Sequence, residues 1–220
     1  MNEEIKEELQ KRGVNIIRFV DISELSDKQT QGFHKAILFC MTLSQKFVLD
    51  EFCNNLPVEH DEFIEKEKNV DRVADWLAGF IQQKGYQAYS QSEKNHIENG
   101  NIDEKTKTSV LPHKTIALIS GLGFIGKNNL IVTEEYGCAF SMCTVLTDAP
   151  IETENASVIS SKCRECDVCK NICPTKAIHG KEWTQGVERE SLIDIAKCSC
   201  RLKCMVHCTW TLKYARKEVK

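Results

Sequence analysis

The run from Cys163 to Pro174, C-x-x-C-x-x-C-x-x-x-C-P, constrains this chain more than any other stretch. Three thiolates at three-residue spacing wrap one iron–sulfur cube. The fourth leaves on a proline-terminated turn and reaches a second cube in two-cluster ferredoxins. A second group follows at Cys198, Cys200, Cys204 and Cys208. Eight of the twelve cysteines therefore lie in the C-terminal part of the chain, and eight thiolates are what two 4Fe–4S clusters require. The competing readings are a zinc knuckle and a disulfide framework. Zinc takes four ligands, normally from two separated C-x-x-C pairs rather than one packed run. In the ferredoxin pattern the last cysteine of each run serves the opposite cluster. One cluster is thus expected on Cys163, Cys166, Cys169 and Cys208, and the other on Cys173, Cys198, Cys200 and Cys204.

At 220 residues the chain can hold one sizeable core and a small appendix. Residues 1–150 are expected to form an α/β domain that binds cofactor or substrate, and residues 151–220 a ferredoxin-like domain that folds with its metal. A formal charge of −3 gives no reason to expect nucleic acid. The charge is uneven, with twelve acidic against five basic residues from Glu51 to Glu104. From Arg201 to Lys220 six basic residues face Glu218 alone. Each is first a solvated face, although the basic tail also suits an acidic electron donor. The start, MNEEIKEELQKR, reads as a charged helix and not a signal peptide. No apolar run approaches bilayer length, and cysteines kept for metal imply a reducing cytosol. The other four cysteines, Cys40, Cys53, Cys138 and Cys143, sit among apolar residues and read as core packing.

Residues 2–12 read as a helix stopped by Gly13, and Val14 to Ile22 as a strand. The apolar run from Lys35 to Leu43 has strand length. Val70, Val73, Leu77 and Phe80 recur at helical steps within a helix over about 61–84, ended by Gly85. Tyr86 to Gln91 suits a short strand. Ser92 to Ser109 is polar and aperiodic, as a lid or mobile loop would be. KTIALIS, after Pro112, fits helix or strand equally. Cys138 to Leu146 reads as a strand, and Asp148 to Lys162 as a linker.

Gly121, Gly123 and Gly126 form G-x-G-x-x-G, followed by Lys127. A dinucleotide-binding reading needs a long helix after the loop and an acidic residue about twenty positions on. Here only Asn128 to Glu135 could be helical before Gly137, and Asp148 is the nearest carboxylate on a strand end. The fit is partial.

The stretch PHKTIALISGLGFIGKNNLIVTEEYG, then VLTDAPI, then the double cysteine region ending CTWTLKY, resembles the epoxyqueuosine reductase family. That resemblance covers about Val110 to Tyr214. It implies a nitroreductase-like, cobalamin-processing-type α/β core with a C-terminal bacterial-ferredoxin-like two-cluster domain. It also implies kinship to reductive dehalogenases, a cytoplasmic location, two 4Fe–4S clusters and cobalamin, with Gly121, Gly123, Phe124, Gly126 and Lys127 lining the cofactor pocket. The chain departs from the family pattern in carrying Phe124 for tryptophan and Cys208-Thr209-Trp210 for C-P-W. It also has Lys107 where the family places a proton-donating aspartate.

With that aspartate replaced, His113 is the first candidate proton donor and Lys114 the second. Tyr136 is a weaker one. His207 is outnumbered as a ligand by eight cysteines, His179 reads as a surface or cluster-tuning residue, and Trp183 and Trp210 as shields against water. Two functions follow. In one, reduced ferredoxin or flavodoxin supplies electrons that pass through both clusters to a corrinoid, which reduces a small organic or nucleoside-type substrate. In the other, the chain is an electron carrier or corrinoid-reactivating protein with no substrate of its own. Flavin, or no cofactor, is the alternative occupant of the core domain.

Overall fold

The computed structural model describes residues 1–53, 61–103, 105–199 and 201–217. In chain order the elements are α1 (Asn2–Lys11), β1 (Ile16–Asp21), α2 (Asp27–Thr30), β2 (Lys35–Thr42), α3 (Gln45–Cys53), α4 (Asp61–Gln83), β3 (Ala88–Ser90), α5 (Glu93–Glu98), β4 (Ile102–Asp103), β5 (Thr108–Ser109), α6 (His113–Ile119), β6 (Phe124–Ile125), β7 (Ile131–Val132), β8 (Phe140–Thr147), α7 (Val168–Ile172), α8 (Lys203–Val206) and α9 (Thr209–Ala215). They fall into two compact units. The first comprises residues 1–42, 63–122 and 140–157, and the second residues 43–62, 123–139 and 158–220. A single division at residue 150 is therefore not how the chain is partitioned: two of its earlier segments belong with the cysteine region.

The first unit is an α/β layer structure built on the sheet β1-β2-β8-β3, with every pairing antiparallel. Strand β2 is apolar along its whole length because it is an inner strand, flanked by β1 and β8 and covered on both faces. Ile37 and Phe39 of β2, with Cys143 and Val145 of β8, meet Ile5 and Leu9 of α1 and Val70, Val73, Leu77 and Ile81 of α4 in one core. The three-and-four spacing of the α4 residues is what brings them to that face. Helix α6 packs on β2 and β8. There His113 meets Thr144, whose strand neighbours Cys143 and Val145 point into the α1/α4 core.

Two segments differ from the sequence reading. Ser92 to Ser109 is not a structureless loop: Ser92 begins α5, and β4 pairs with β5 in a small hairpin. Asp75 organises its start by accepting hydrogen bonds from Ser90, Ser92 and Asn95, a long-range source of order that periodicity does not register. KTIALIS is helical, as α6, and Asn128 to Glu135 is not: β6 and β7 form a tight hairpin there.

In the second unit the β6–β7 hairpin, α3 and the short helices α7, α8 and α9 surround the cysteine region. Much of residues 158–202 has no regular structure. Its order comes from local hydrogen bonds and from a small apolar cluster of Cys169, Ala177, Ile178 and Ile193, against which Cys173 and Cys204 pack. Among the described residues no helix is long and apolar enough to cross a membrane.

Candidate functional site

Cys163, Cys166, Cys169 and Cys208 line one small pocket in the second unit, together with Lys127, Asn128, Val132, Lys162, Val168, Thr209 and Trp210. Three of these sulfurs come from the turn into α7, and the fourth from the N-terminal end of α9. The thiols act on one another electrically. Burial, and then the neighbouring charges of Cys163, Cys208 and Cys166, push Cys169 up to about 12. Burial likewise raises Cys163, against hydrogen bonds from the Lys127 backbone and from Ser161. Four thiolates held this closely repel unless a cationic centre neutralises them, which is the condition an iron–sulfur core meets. The residues present fit such a cluster, although among the described residues no preformed group of three or more ligands converges on a single metal ion.

Of the other four cysteines, Cys173 and Cys204 touch the same small apolar cluster and Cys198 is exposed. Cys200 lies outside the described residues. Burial works to raise the Cys173 thiol, but hydrogen bonds from the Thr175 hydroxyl and from the backbone of Ala177, Thr175 and Ile178 hold it below its ordinary value. Donors gathered round one sulfur are what a thiolate ligand needs.

Sequence reasoning missed Cys138. It is buried beside the pocket, with its sulfur 3.3 Å from Thr211 Oγ1 and 3.6 Å from Asn128 Nδ2. A hydrogen bond from Cys138 is the largest influence holding Cys208 below its usual range, despite burial, and the backbone N–H groups of Thr211 and Trp210 add to it. No spacing rule connects a cysteine in the strand-like run before β8 with one that begins α9.

The glycine loop has a packing role. A Cβ at Gly123 would overlap the Val132 carbonyl oxygen, one at Gly126 would lie 2.7 Å from Asn128 Oδ1, and one at Gly121 2.6 Å from Ala156 Cβ. Phe124 is buried, with its ring edge-on to Trp210 at 5.9 Å. The space a Cβ would take at each of these glycines is filled by the chain itself, so the three are needed for close packing. Lys127 is committed too, to Asp167 at 2.9 Å and to the Arg164 carbonyl at 2.7 Å.

The candidate proton donors lie elsewhere. His113 opens α6 in the first unit, its Nδ1 3.0 Å from Thr144 Oγ1. Burial, with help from His96, pushes it down to about 4. At neutral pH it is an uncharged imidazole and has no imidazolium proton to give. Lys114, next to it, is half-buried. Tyr136 stacks edge-on with Tyr214 at 5.3 Å in the second unit. His207 bonds the Lys203 carbonyl and stacks on Phe52, while His179 bonds the Ser191 carbonyl. Trp183 is half-buried.

His113 and Lys107 both open onto a cavity of about 730 Å³ in the first unit. Glu67 and Asp71 of α4, Glu93 and His96 of α5, Gln91 and Met142 also line it. The position of the family's aspartate therefore does face a cavity, and carboxylates from α4 and α5 face it as well.

No family model matches the chain. It is 35% identical over 80 residues to the epoxyqueuosine reductase of Lactococcus garvieae, covering 36% of this chain and 22% of that protein. Against the Escherichia coli epoxyqueuosine reductase the figures are 30% over 83 residues, covering 38% and 21%. The matched region thus spans about a fifth of the length of these relatives. Among solved structures, the epoxyqueuosine reductase of Streptococcus thermophilus superposes with a TM-score of 0.56 at 14% identity, covering 96% of this chain and 66% of that one. A reductive dehalogenase, whose structure suggests a mechanism for B12-dependent dehalogenation, superposes at 0.58 with 16% identity, covering 83% and 28%. In fold, and in sequence over about a third of its length, this chain is similar to the epoxyqueuosine reductases.

Proposed function

We propose that the chain is an iron–sulfur oxidoreductase that receives electrons from a reduced ferredoxin or flavodoxin and passes them to a small organic or nucleoside-type acceptor. The observation that carries this reading is the meeting of Cys163, Cys166 and Cys169 with Cys208 around one pocket. Cys208 is distant in sequence from the other three, and its place beside them is what a shared ligand requires. A 4Fe–4S cluster held there supplies one-electron transfer. Cys173, Cys198, Cys200 and Cys204 are the ligand set for a second.

The chain's own residues prepare the first site. Trp210 and Val132 line it with apolar surface, which limits water and tunes potential. Lys127 ties the turn that carries Cys163 and Cys166 through the Arg164 carbonyl. Cobalamin, were it bound beside the glycine loop, would supply a strongly reducing cobalt centre. The carrier reading is supported by the lowered value of His113, which makes the first candidate donor a weak acid at neutral pH: it keeps a ring N–H but not the imidazolium proton.

Anaerobic reconstitution followed by iron and sulfide analysis and electron paramagnetic resonance tests the proposal. Cys208→Ala and Cys163→Ala should remove the same cluster signal, and Cys173→Ala the other. Zinc in place of iron, or loss of different signals in Cys208→Ala and Cys163→Ala, would overturn it. Turnover of an added acceptor by the reduced protein separates enzyme from carrier.

A further inference from the structure

We propose that the cavity in the first unit binds a small nitrogenous base, an amine or amidine that carries positive charge and presents N–H donors. Three features of the cavity support this, and none depends on the clusters.

First, the cavity holds buried polar groups with no partner. His96 is 3% exposed and Gln91 1% exposed. Both ring nitrogens of His96 and the Oε1 of Gln91 lack a hydrogen bond. Orphaned groups of this kind cost stability unless a ligand or water completes them. A neutral imidazole offers one acceptor and one donor, and the Gln91 oxygen only accepts.

Second, three carboxylates converge there. Glu67 and Asp71 lie one turn apart on α4, and Glu93 comes from the start of α5. Loss of solvent round its carboxyl raises Glu67 against an opposing hydrogen bond from Ser141, and the charges of Asp71 and Glu93 add to the rise. Burial likewise raises Asp71, with Glu93 and Asp75 adding to it against the hydrogen bond from the Glu93 backbone. Ionising Glu67 and Asp71 is thus opposed by their surroundings, and a cation among the three carboxylates of the lining would relieve that opposition.

Third, the opposing charges are fewer. Lys68 of α4 and Lys107 beside β5 are the lysines on the lining, while His96 and His113 are both held toward the neutral form. An anionic ligand would meet three carboxylates at close range. The volume of about 730 Å³ lies within the range that suits one compact organic molecule.

Titration calorimetry of the cluster-loaded full chain tests this with four probes of one shape: benzamidine, benzylamine, benzyl alcohol and benzoate. The two cations should bind at least about tenfold more tightly than the alcohol, the worth of one charge-assisted hydrogen bond, and benzoate should give no heat. Asp71→Asn and Glu67→Gln should each weaken benzamidine roughly tenfold. Affinity should fall as pH is lowered from about 7.5 to about 5, because the carboxylates must be ionised to hold the cation. Visible absorbance of the clusters should be the same in every variant, so loss of binding is not confused with loss of metal. Benzoate binding as tightly as benzamidine, no heat from any probe, or unchanged affinity in both variants would overturn the proposal.

Discussion

The Lys127 ammonium stands 2.9 Å from Asp167 Oδ1 at the rim of the cysteine pocket. Burial alone would lower the lysine, but Asp167 outweighs it and holds Lys127 above its ordinary value. The same ammonium donates to the carbonyl of Arg164, whose φ of 47° puts a non-glycine residue in the left-handed region. That conformation is uncommon and needs support from its surroundings. Lys127 is therefore a clamp on the turn between Cys163 and Cys166. Lys127→Met should speed loss of the first cluster in air several-fold, followed by bleaching of its visible absorbance. An unchanged rate would show that the metal–sulfur bonds hold the turn unaided.

Cys138 should set the potential of that cluster without being a ligand to it. A hydrogen bond to a ligating sulfur stabilises the more negatively charged, reduced state. Cys138→Val should therefore shift the midpoint potential of the first cluster downward, and Cys138→Ser should restore part of the shift. A redox titration monitored by electron paramagnetic resonance measures both, with iron content the same in each.

Two glycines should respond oppositely to alanine. At Gly123 the new Cβ meets the Val132 carbonyl across the β6–β7 hairpin, and the backbone must move. Gly123→Ala should cost about 2 kcal/mol or more, as overpacking does. At Gly79, within α4, the added methyl group meets nothing within 4 Å beyond its own helix backbone and chain neighbours, and Gly79→Ala should add ~0.5–1 kcal/mol. Thermal melts of the two variants check the pair.

The pH dependence of stability should carry the mark of His113. Its folded value of about 4 lies below the usual 6.5. Between those values the unfolded chain takes the proton more readily. Stability is therefore full above about pH 6.5, is lost as pH falls toward about 4, and levels off below that, with a total of up to ~3 kcal/mol. His113→Gln keeps a partner for Thr144 and does not titrate. It should flatten the melting temperature across that window, leaving a smaller slope from His96, which burial also lowers.

Strong local periodicity made α1, β2, α4 and β8 legible in the sequence, because one face or both faces of each are filled with apolar side chains. The cysteine runs were legible as metal chemistry because ligand spacing is itself a geometric statement. What escaped depended on distant residues. Asp75 organises the start of α5 from another helix, Thr211 and Asn128 set the surroundings of Cys138, and His96 gains its meaning from the cavity it shares with the α4 carboxylates. The glycine loop has a motif that suggests a ligand, and two of its glycines, Gly123 and Gly126, also serve the close approach of β6 and β7. A motif records where backbone must come near something, not what that something is.

The order in which the first unit's sheet is assembled has a consequence for synthesis. Strand β8 is the last of its strands to leave the ribosome, yet it lies between β2 and β3. Until Thr147 has emerged, the inner edge of β2 has no neighbour and β3 has nothing to pair with. The nascent chain must therefore carry an apolar, unpaired strand edge from the emergence of Thr42 until that of Phe140. Fragments that stop before residue 140 are expected to leave β2 and β3 without the strand that joins them.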